Sequence, residues 1–178
     1  TTFINESSKL PTFTLPSNMS SLSAAWGDYN GDDYLDIYLG GFTDQDVLLI
    51  NNKDGTFKNA WQSPHFLPGR GMTAADWDQD GDMDVYVSNY NLALNQLWRN
   101  NGSGNDANLF ADAASSHNAL GGNGPGSSGH TIGSVFGDLD NDGLVDLFDR
   151  VSRGEHGGDG CGIKVQPRTA GAHVIECD

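Results

Sequence analysis

The chain has 178 residues, which suits one domain, and its 24 acidic and 9 basic residues give a net charge of -15. That charge argues against nucleic acid, whose phosphates need a Lys/Arg surface, and no apolar run approaches the ~18 residues of a membrane span. Only 37% of the residues are hydrophobic, but the 4 Trp, 5 Tyr and 8 Phe argue against a chain disordered throughout.

Short β-strands are predicted along the chain, because runs of β-branched and aromatic residues are bounded by Gly, Asn and Asp. No run has a 3.6-residue apolar period long enough for a helix, so an all-β fold is predicted. The segments at 121–129 and 154–160 have loop composition. In chain order the predicted strands are 3–5, 23–26, 35–39, 48–52, 57–59, 83–87, 97–101, 110–112, 132–136 and 145–148.

A repeat of about 53 residues organises these strands. Phe3, Phe57 and Phe110 each begin a short strand, at intervals of 54 and 53 residues. The segment 48–52 also corresponds to 97–101. A period of this length is typical of repeat architectures. We divide the chain into repeat 1 (1–54), repeat 2 (55–107), repeat 3 with an atypical end (108–160) and a Cys-closed tail (161–178).

Most of the acid lies in three windows, named here loop 1 (28–36), loop 2 (76–84) and loop 3 (138–146). Three of the 24 acidic residues are glutamates, so 21 are aspartates, and 13 of those lie in the loops. The loops share the pattern D-x-[DN]-x-D-[GD]-x-x-D between two predicted strands. Acid used for solubility would mix Glu with Asp and scatter both, whereas a short carboxylate at fixed spacing suits oxygen coordination of a hard cation.

Calcium is the predicted cation, with about three ions bound. The side chains at positions 1, 3, 5 and 9 of each loop and the carbonyl of position 7 supply five or more of the six to eight oxygens that Ca²⁺ takes. Magnesium is disfavoured because it demands a tight octahedron and keeps its waters. The predicted ligands are Asp28, Asn30, Asp32, Asp36 and the Tyr34 carbonyl; Asp76, Asp78, Asp80, Asp84 and the Asp82 carbonyl; and Asp138, Asp140, Asp142, Asp146 and the Leu144 carbonyl.

Loop 1 is the weakest predicted site. Asn30 removes one charge, and Asp33 replaces the position-6 glycine that eases a left-handed backbone. An EF-hand loop begins alike but needs a bidentate Glu at position 12, where this chain has Leu39, Val87 and Asp149. The alternative of Asp-rich turns on a solvated face is disfavoured because the same spacing recurs three times.

The three loops and their flanking segments resemble the FG-GAP and VCBS-like repeats of integrin alpha-subunit propellers and of secreted cartilage-acidic-protein-like proteins. The segments that carry the resemblance are Ala-Ala-Trp-Gly-Asp at 24–28, Val-Phe-Gly-Asp at 135–138, Asp-Ile-Tyr-Leu at 36–39, Leu-Trp-Arg-Asn-Asn at 97–101 and Gly-Thr-Phe-Lys-Asn at 55–59. The resemblance covers roughly residues 1–150. It implies β-propeller blades of four strands, with calcium between strands, in an extracellular or lumenal protein used for adhesion or recognition.

The number of repeats departs from that family. Propellers need at least four blades, and those of this family commonly have seven, whereas this chain has three units. The predicted fold is therefore three β-propeller-type blades with calcium loops between strands, open or part of a larger or oligomeric propeller. An open sheet edge templates further pairing, so we expect a protein partner or other copies of the chain to cover it.

The C-terminal cysteines favour an oxidising compartment. Cys161 and Cys177 have no His/Cys partners at zinc-like spacing, so a disulfide closing a terminal hairpin is predicted over two thiols in a reducing compartment. N-glycosylation patterns begin at Asn5, Asn18 and Asn101. We expect a protein that is secreted, extracellular or lumenal.

No catalytic constellation emerges. The five histidines share no spacing typical of a metal or a triad, and Cys161 with His156 as a base is less favoured than a disulfide. We predict a calcium-stabilised structural or adhesion module that mediates protein-protein interaction or assembly. The alternative is a lectin-like carbohydrate-binding protein, in which Trp61, Trp98 or Tyr90 stacks on a sugar; otherwise these aromatic residues form the core between blades.

Overall fold

The computed structural model describes residues 21–42, 44–102, 109–121, 130–152, 163–165 and 174–177. No helix occurs in these ranges, which confirms the all-β class, and they accordingly contain no apolar helix of membrane-spanning length. The strands are β1 (Ser21–Gly27), β2 (Asp36–Gly41), β3 (Val47–Asn51), β4 (Phe57–Gln62), β5 (Gly69–Ala75), β6 (Asp84–Asn89), β7 (Gln96–Asn100), β8 (Phe110–Asp112), β9 (His130–Gly137), β10 (Asp146–Ser152), β11 (Ile163–Val165) and β12 (Val174–Cys177).

The strands form three four-stranded sheets that follow one another along the chain. Sheet 1 has the order β1-β2-β3-β4 and sheet 2 the order β5-β6-β7-β8. All neighbouring strands in these two sheets are antiparallel. The strands that begin at Phe57 and Phe110 are thus the last strands of sheets 1 and 2. The repeats defined from the sequence begin just before these strands, so each of these two sheets spans the boundary between one repeat and the next.

Sheet 3 ends differently from the other two. Its order is β11-β12-β10-β9, and β12 pairs parallel with β10, where the corresponding β3 and β7 pair antiparallel with β2 and β6. Strands from the C-terminal tail therefore complete this sheet, and Ile163 lies opposite Cys177. Cys161, His156, residues 1–20 and the glycine-rich 122–129 lie outside the described residues, so the predicted disulfide stays a prediction.

Aromatic side chains form the core between sheets 1 and 2. Tyr38, Leu48 and Trp61 of sheet 1 pack in one cluster with Val87 and Trp98 of sheet 2. The rings of Trp61 and Trp98 meet edge to face with centroids 5.2 Å apart, and their exposed fractions are 5% and 2%. Burial of such large apolar surfaces is the main force holding the two sheets together.

A buried polar network joins sheets 2 and 3. The Asn95 side chain donates to Asp149 Oδ2 (2.7 Å) and to Thr131 Oγ1 (2.9 Å). Tyr86 donates its hydroxyl hydrogen to Asp149 Oδ2 (2.8 Å). Asp149 is fully buried, and a buried carboxylate needs such partners to offset its lost hydration. Strand β5 contacts both β1 and β9, and the three sheets do not close into a ring among the described residues.

Candidate metal centre

The three acidic loops occupy equivalent places in the three sheets. Loop 1 connects β1 to β2, loop 2 connects β5 to β6, and loop 3 connects β9 to β10. Each loop is therefore a turn between antiparallel strands, as the sequence predicts, and not the helix-flanked loop of an EF-hand.

The first aspartate of each loop folds the turn. In loop 2 the Asp76 carboxylate accepts the backbone N–H of Asp80 at 3.1 Å and of Gly81 at 3.0 Å. Asp28 in loop 1 and Asp138 in loop 3 accept the corresponding two N–H groups at 2.7 to 3.0 Å. The same local hydrogen bonds thus recur in all three loops.

Positions 4 and 6 of each loop are left-handed. At position 6, φ is +68° for Asp33, +97° for Gly81 and +84° for Gly143. Gly31, Gln79 and Asn141 hold position 4 with φ of +68°, +60° and +57°. This confirms that Asp33 stands where the turn favours glycine, since a side chain at positive φ crowds the backbone.

The ninth aspartate ties each loop to its sheet. Asp84 is fully buried; it accepts the backbone N–H of Trp77 at 3.1 Å and that of Asn100, on β7, at 2.7 Å. The same bonds join Asp36 to Tyr29 (3.0 Å) and Asn51 (2.8 Å), and Asp146 accepts from Leu139 (2.9 Å). Sequence reasoning missed Asn51 and Asn100, although they recur in the segments 48–52 and 97–101.

Burial changes the protonation of these carboxyl groups. The pKa of Asp84 is raised to about 7, chiefly by burial and also by the charges of Asp78 and Asp80, while the two backbone N–H groups oppose the shift. Burial likewise raises the pKa of Asp36, again against two backbone N–H bonds. A nearby cation favours the ionised form, so metal binding would lower both pKa values.

Carboxylate oxygens gather in loops 2 and 3. One oxygen each from Asp76, Asp78 and Asp84 lies within 4.8 Å of the others. Oxygens that share one calcium ion at about 2.3 to 2.6 Å can be no more than about 5 Å apart, so this group fits the ion. Asp78 Oδ1 is buried without a hydrogen-bond partner among the described residues, as expected of an oxygen that needs a ligand. The equivalent group in loop 3 is Asp138, Asp140 and Asp146.

Loop 1 has a different set of donors. Its third position is Asn30, whose side-chain N–H donates to Asp32 Oδ2 at 3.1 Å. Of positions 1, 3 and 9 in loop 1, two therefore supply a carboxylate, Asp28 and Asp36, and position 3 does not. The chemistry of loop 1 is accordingly less suited to a divalent cation than that of loops 2 and 3.

The carboxylates at position 5 accept a hydrogen bond within their own loop. Asp80 Oδ1 accepts the backbone N–H of Asp82 at 3.1 Å, and Asp32 and Asp142 make the same bond to position 7. Position 5 is thus not part of the oxygen groups formed by positions 1, 3 and 9. Its predicted role as a ligand, and that of the position-7 carbonyls of Tyr34, Asp82 and Leu144, stays a prediction.

Basic side chains reach two of the loops, which sequence reasoning missed. Arg99 on β7 pairs with Asp78 (Nε to Oδ2, 2.5 Å) and Asp80 (Nη2 to Oδ2, 3.0 Å). Lys53 pairs with Asp32 at 3.3 Å. Arg99 stands in the segment 97–101 that corresponds to 48–52, but only the sheet register brings β7 beside loop 2.

Hydrogen bonds also connect the loops to one another. Gln79 of loop 2 donates its side-chain N–H to the carbonyl of Gly143 in loop 3 at 2.9 Å. Asn100 donates to the Tyr29 carbonyl of loop 1 at 2.9 Å and to the Met83 carbonyl of loop 2 at 3.1 Å. The three loops therefore form one hydrogen-bonded row.

A family model described as an FG-GAP-like repeat matches residues 28–87 and 76–148. The chain belongs to the FG-GAP-like repeat family. The matches begin at Asp28 and Asp76, the first positions of loops 1 and 2, and together include all three loops. Repeats of this family are typical of protein-interaction modules and are generally non-catalytic. No curated protein matches the chain.

Proposed function

We propose that this FG-GAP-like repeat protein is a calcium-stabilised extracellular structural or adhesion module, built of propeller-type blades, that mediates protein-protein interaction or assembly. The observation that carries the proposal is the recurrence of one loop geometry three times, with carboxylate oxygens gathered in loops 2 and 3. The family assignment supports the interaction role. The buried, unpartnered Asp78 Oδ1 supports a ligand in loop 2.

Positions 1, 3 and 9 of each loop would hold the ion, joined by position 5 and the position-7 carbonyl. Bound calcium would supply positive charge that neutralises crowded carboxylates, which repel one another strongly at separations of a few ångströms. Three ions would change the net charge from -15 to about -9, since each adds two charges. Binding would therefore favour the folded loops over the unfolded chain.

Exposed apolar side chains on sheets 1 and 3 support a protein partner or another copy of the chain. Ile132 and Val135 on β9 are 44% and 55% exposed, and Trp26 on β1 is 57% exposed. These strands belong to the first and last of three sheets that do not close among the described residues. Exposed apolar groups at such ends suit association with a further sheet.

The positions of the three aromatic residues argue against the carbohydrate-binding alternative. Trp61 and Trp98 lie in the core between sheets 1 and 2, so they cannot stack on a sugar at the surface. Tyr90 is half-buried, and the Arg70 guanidinium lies over its ring at 4.3 Å. The predicted core role of the two tryptophans is confirmed. None of the three aromatic rings is therefore placed to stack on a sugar.

Thermal unfolding with calcium and with EDTA tests the proposal. A site occupied at 100 times its Kd stabilises by about 2.7 kcal/mol, and a domain of this size gains about 2–4 °C in Tm per kcal/mol. We therefore expect calcium to raise Tm by at least about 5 °C. An unchanged Tm would contradict a structural role for the metal.

Matched variants separate a ligand effect from general destabilisation. Asp80→Asn removes a predicted ligand from loop 2 and should reduce the increase in Tm that calcium produces. Asp54→Asn makes the same chemical change at an exposed turn outside the loops and should leave that increase unchanged, whatever it does to Tm itself. Equal increases in both variants would remove Asp80 from the site.

A further inference from the structure

The guanidinium of Arg99 lies at the carboxylates that are predicted to bind calcium in loop 2. Its Nε is 2.5 Å from Asp78 Oδ2 and its Nη2 is 3.0 Å from Asp80 Oδ2. An arginine side chain stays charged throughout the pH range in which proteins are folded. One internal cation is thus bonded to two of the four predicted side-chain ligands.

Asp78 divides its two oxygens between different surroundings. Oδ2 accepts from Arg99, while Oδ1 is buried and has no hydrogen-bond partner among the described residues. One oxygen of Asp78 lies within 4.8 Å of oxygens from Asp76 and Asp84. A calcium ion in this group would lie close to the guanidinium, and two cations so near repel each other.

The geometry points to Arg99 as an internal competitor of calcium in loop 2: it neutralises the loop in the metal-free protein and must move away when the ion binds. This inference rests on the proposed calcium function. Because the metal-free loop is stabilised by the ion pairs, the binding-competent form is less populated and the apparent affinity is lower. Arg99 thereby sets the calcium concentration at which loop 2 fills.

Lys53 makes a similar contact in loop 1 from a different place in the sequence. Its Nζ is 3.3 Å from Asp32 Oδ2, and it follows β3 by two residues, whereas Arg99 lies within β7. Ile50 of β3 corresponds to Arg99 in the repeat. Two loops therefore have a basic partner at different points of the unit. Arg99 makes the stronger contact, because it pairs with two carboxylates and Lys53 pairs with one.

A calcium titration followed by the backbone amide signals of ¹⁵N-labelled full-length protein tests the inference. The amides of Gly81 and Gly143 report loops 2 and 3 separately, because each donates to the first aspartate of its own loop. With calcium buffered by a chelator, Arg99→Gln should move the Gly81 midpoint to about 2- to 30-fold lower calcium, the range that two exposed ion pairs span. The Gly143 midpoint should move less.

Arg70→Gln is the matched control, because it removes the same charge from a side chain that stacks on Tyr90 and Phe42. It should leave the Gly81 midpoint unchanged. Arg99→Lys keeps the charge but not the contacts to both carboxylates, so its Gly81 midpoint should lie between those of the wild type and Arg99→Gln. This variant also tests the inference if Arg99→Gln fails to fold. The inference would be overturned if the Gly81 midpoint stayed unchanged or moved to higher calcium in both Arg99 variants. An equal shift in Arg70→Gln would overturn it as well. Wild-type amides that do not respond to calcium would instead refute the proposed function.

Discussion

Single residues in the loops serve two needs at once, backbone geometry and charge. The first and ninth aspartates accept backbone N–H groups, so their carboxylates already shape the turn before any ion is considered. Positions 4 and 6 must adopt positive φ for these bonds to form. The identity of the residue at position 6 is therefore a stability question that is separate from metal ligation.

Replacement of the position-6 glycine tests this separation. Gly81→Ala should destabilise the protein by about 1–2 kcal/mol, because φ is +97° there and a Cβ in the left-handed region costs about that much. No atom lies within 4 Å of the added Cβ, so the cost is backbone strain alone. Urea unfolding measures it, and Gly133→Ala, where the Cβ is equally unobstructed and φ is not positive, is the control. Equal costs in both variants would contradict the strain argument.

Asp46 is a second residue with a distinct role. It is 3% exposed, accepts the Tyr38 hydroxyl hydrogen at 2.8 Å and the Gly41 N–H at 3.0 Å, and lies outside the acidic loops. Burial raises its pKa to about 6, although both hydrogen bonds oppose the shift. The folded protein thus holds this proton more tightly than the unfolded chain.

The sign of the pH dependence follows from that difference. Between about pH 4 and pH 6 the folded state binds more protons at Asp46, so its contribution to stability falls as pH rises, by about 3 kcal/mol in all. Asp46→Asn cannot ionise and should remove this slope, so the variant gains stability relative to the wild type up to about pH 6. Urea unfolding at saturating calcium across this range measures the difference, and parallel pH profiles would contradict it.

At the scale of elements, the loops are connected to one another as well as to their own sheets. Gln79 joins loop 2 to loop 3, and Asn100 joins loop 1 to loop 2. An ion that fixes one loop therefore fixes a hydrogen-bonding partner of the next. Such a connection makes binding at neighbouring sites energetically coupled, in proportion to what the shared bond contributes.

Gln79→Asn tests the coupling between loops 2 and 3. Asparagine tolerates the left-handed backbone, as Asn141 does at the same position of loop 3, but its side chain is one methylene shorter and should not reach Gly143. We expect occupancy of loop 2 to tighten calcium binding at loop 3 in the wild type, and this effect to fall by about twofold to fivefold in the variant. Calcium titrations followed by the amide signals of each loop measure this effect. If the effect is the same in the variant, the hydrogen bond from Gln79 to Gly143 does not contribute to the coupling.

At the scale of the whole molecule, net charge opposes folding. The chain carries -15 on 178 residues, and ion pairs with Arg99 and Lys53 offset part of the acid in loops 1 and 2. The apolar cores between the sheets must therefore stabilise the fold against electrostatic repulsion. Screening by salt and binding of calcium should relieve the same repulsion.

Salt should consequently stabilise the metal-free protein more than the calcium-bound protein. An increase in NaCl from about 0.01 M to about 1 M shortens the Debye length from about 30 Å to about 3 Å. Tm in EDTA should rise by about 2–4 °C for each kcal/mol of repulsion relieved, and Tm in saturating calcium should rise less. Calorimetry at both salt concentrations measures this. An equal salt response in the two states would contradict the idea that calcium neutralises the loops.

The sequence alone determined the all-β class and the three loops. The bonds that shape each loop join residues only two to seven positions apart, such as Asp76 to Gly81 and Asp84 to Trp77, so their spacing is encoded locally. Left-handed φ at Asp33 was also predictable, because it follows from the turn itself.

Tertiary structure decided which distant residues meet these loops. Arg99 reaches Asp78 from 21 positions away, and Gln79 reaches Gly143 from 64 positions away. The two buried tryptophans of the first inter-sheet core likewise come from different sheets. No local pattern specifies such pairs, because they depend on strand register and on which faces of the sheets pack together.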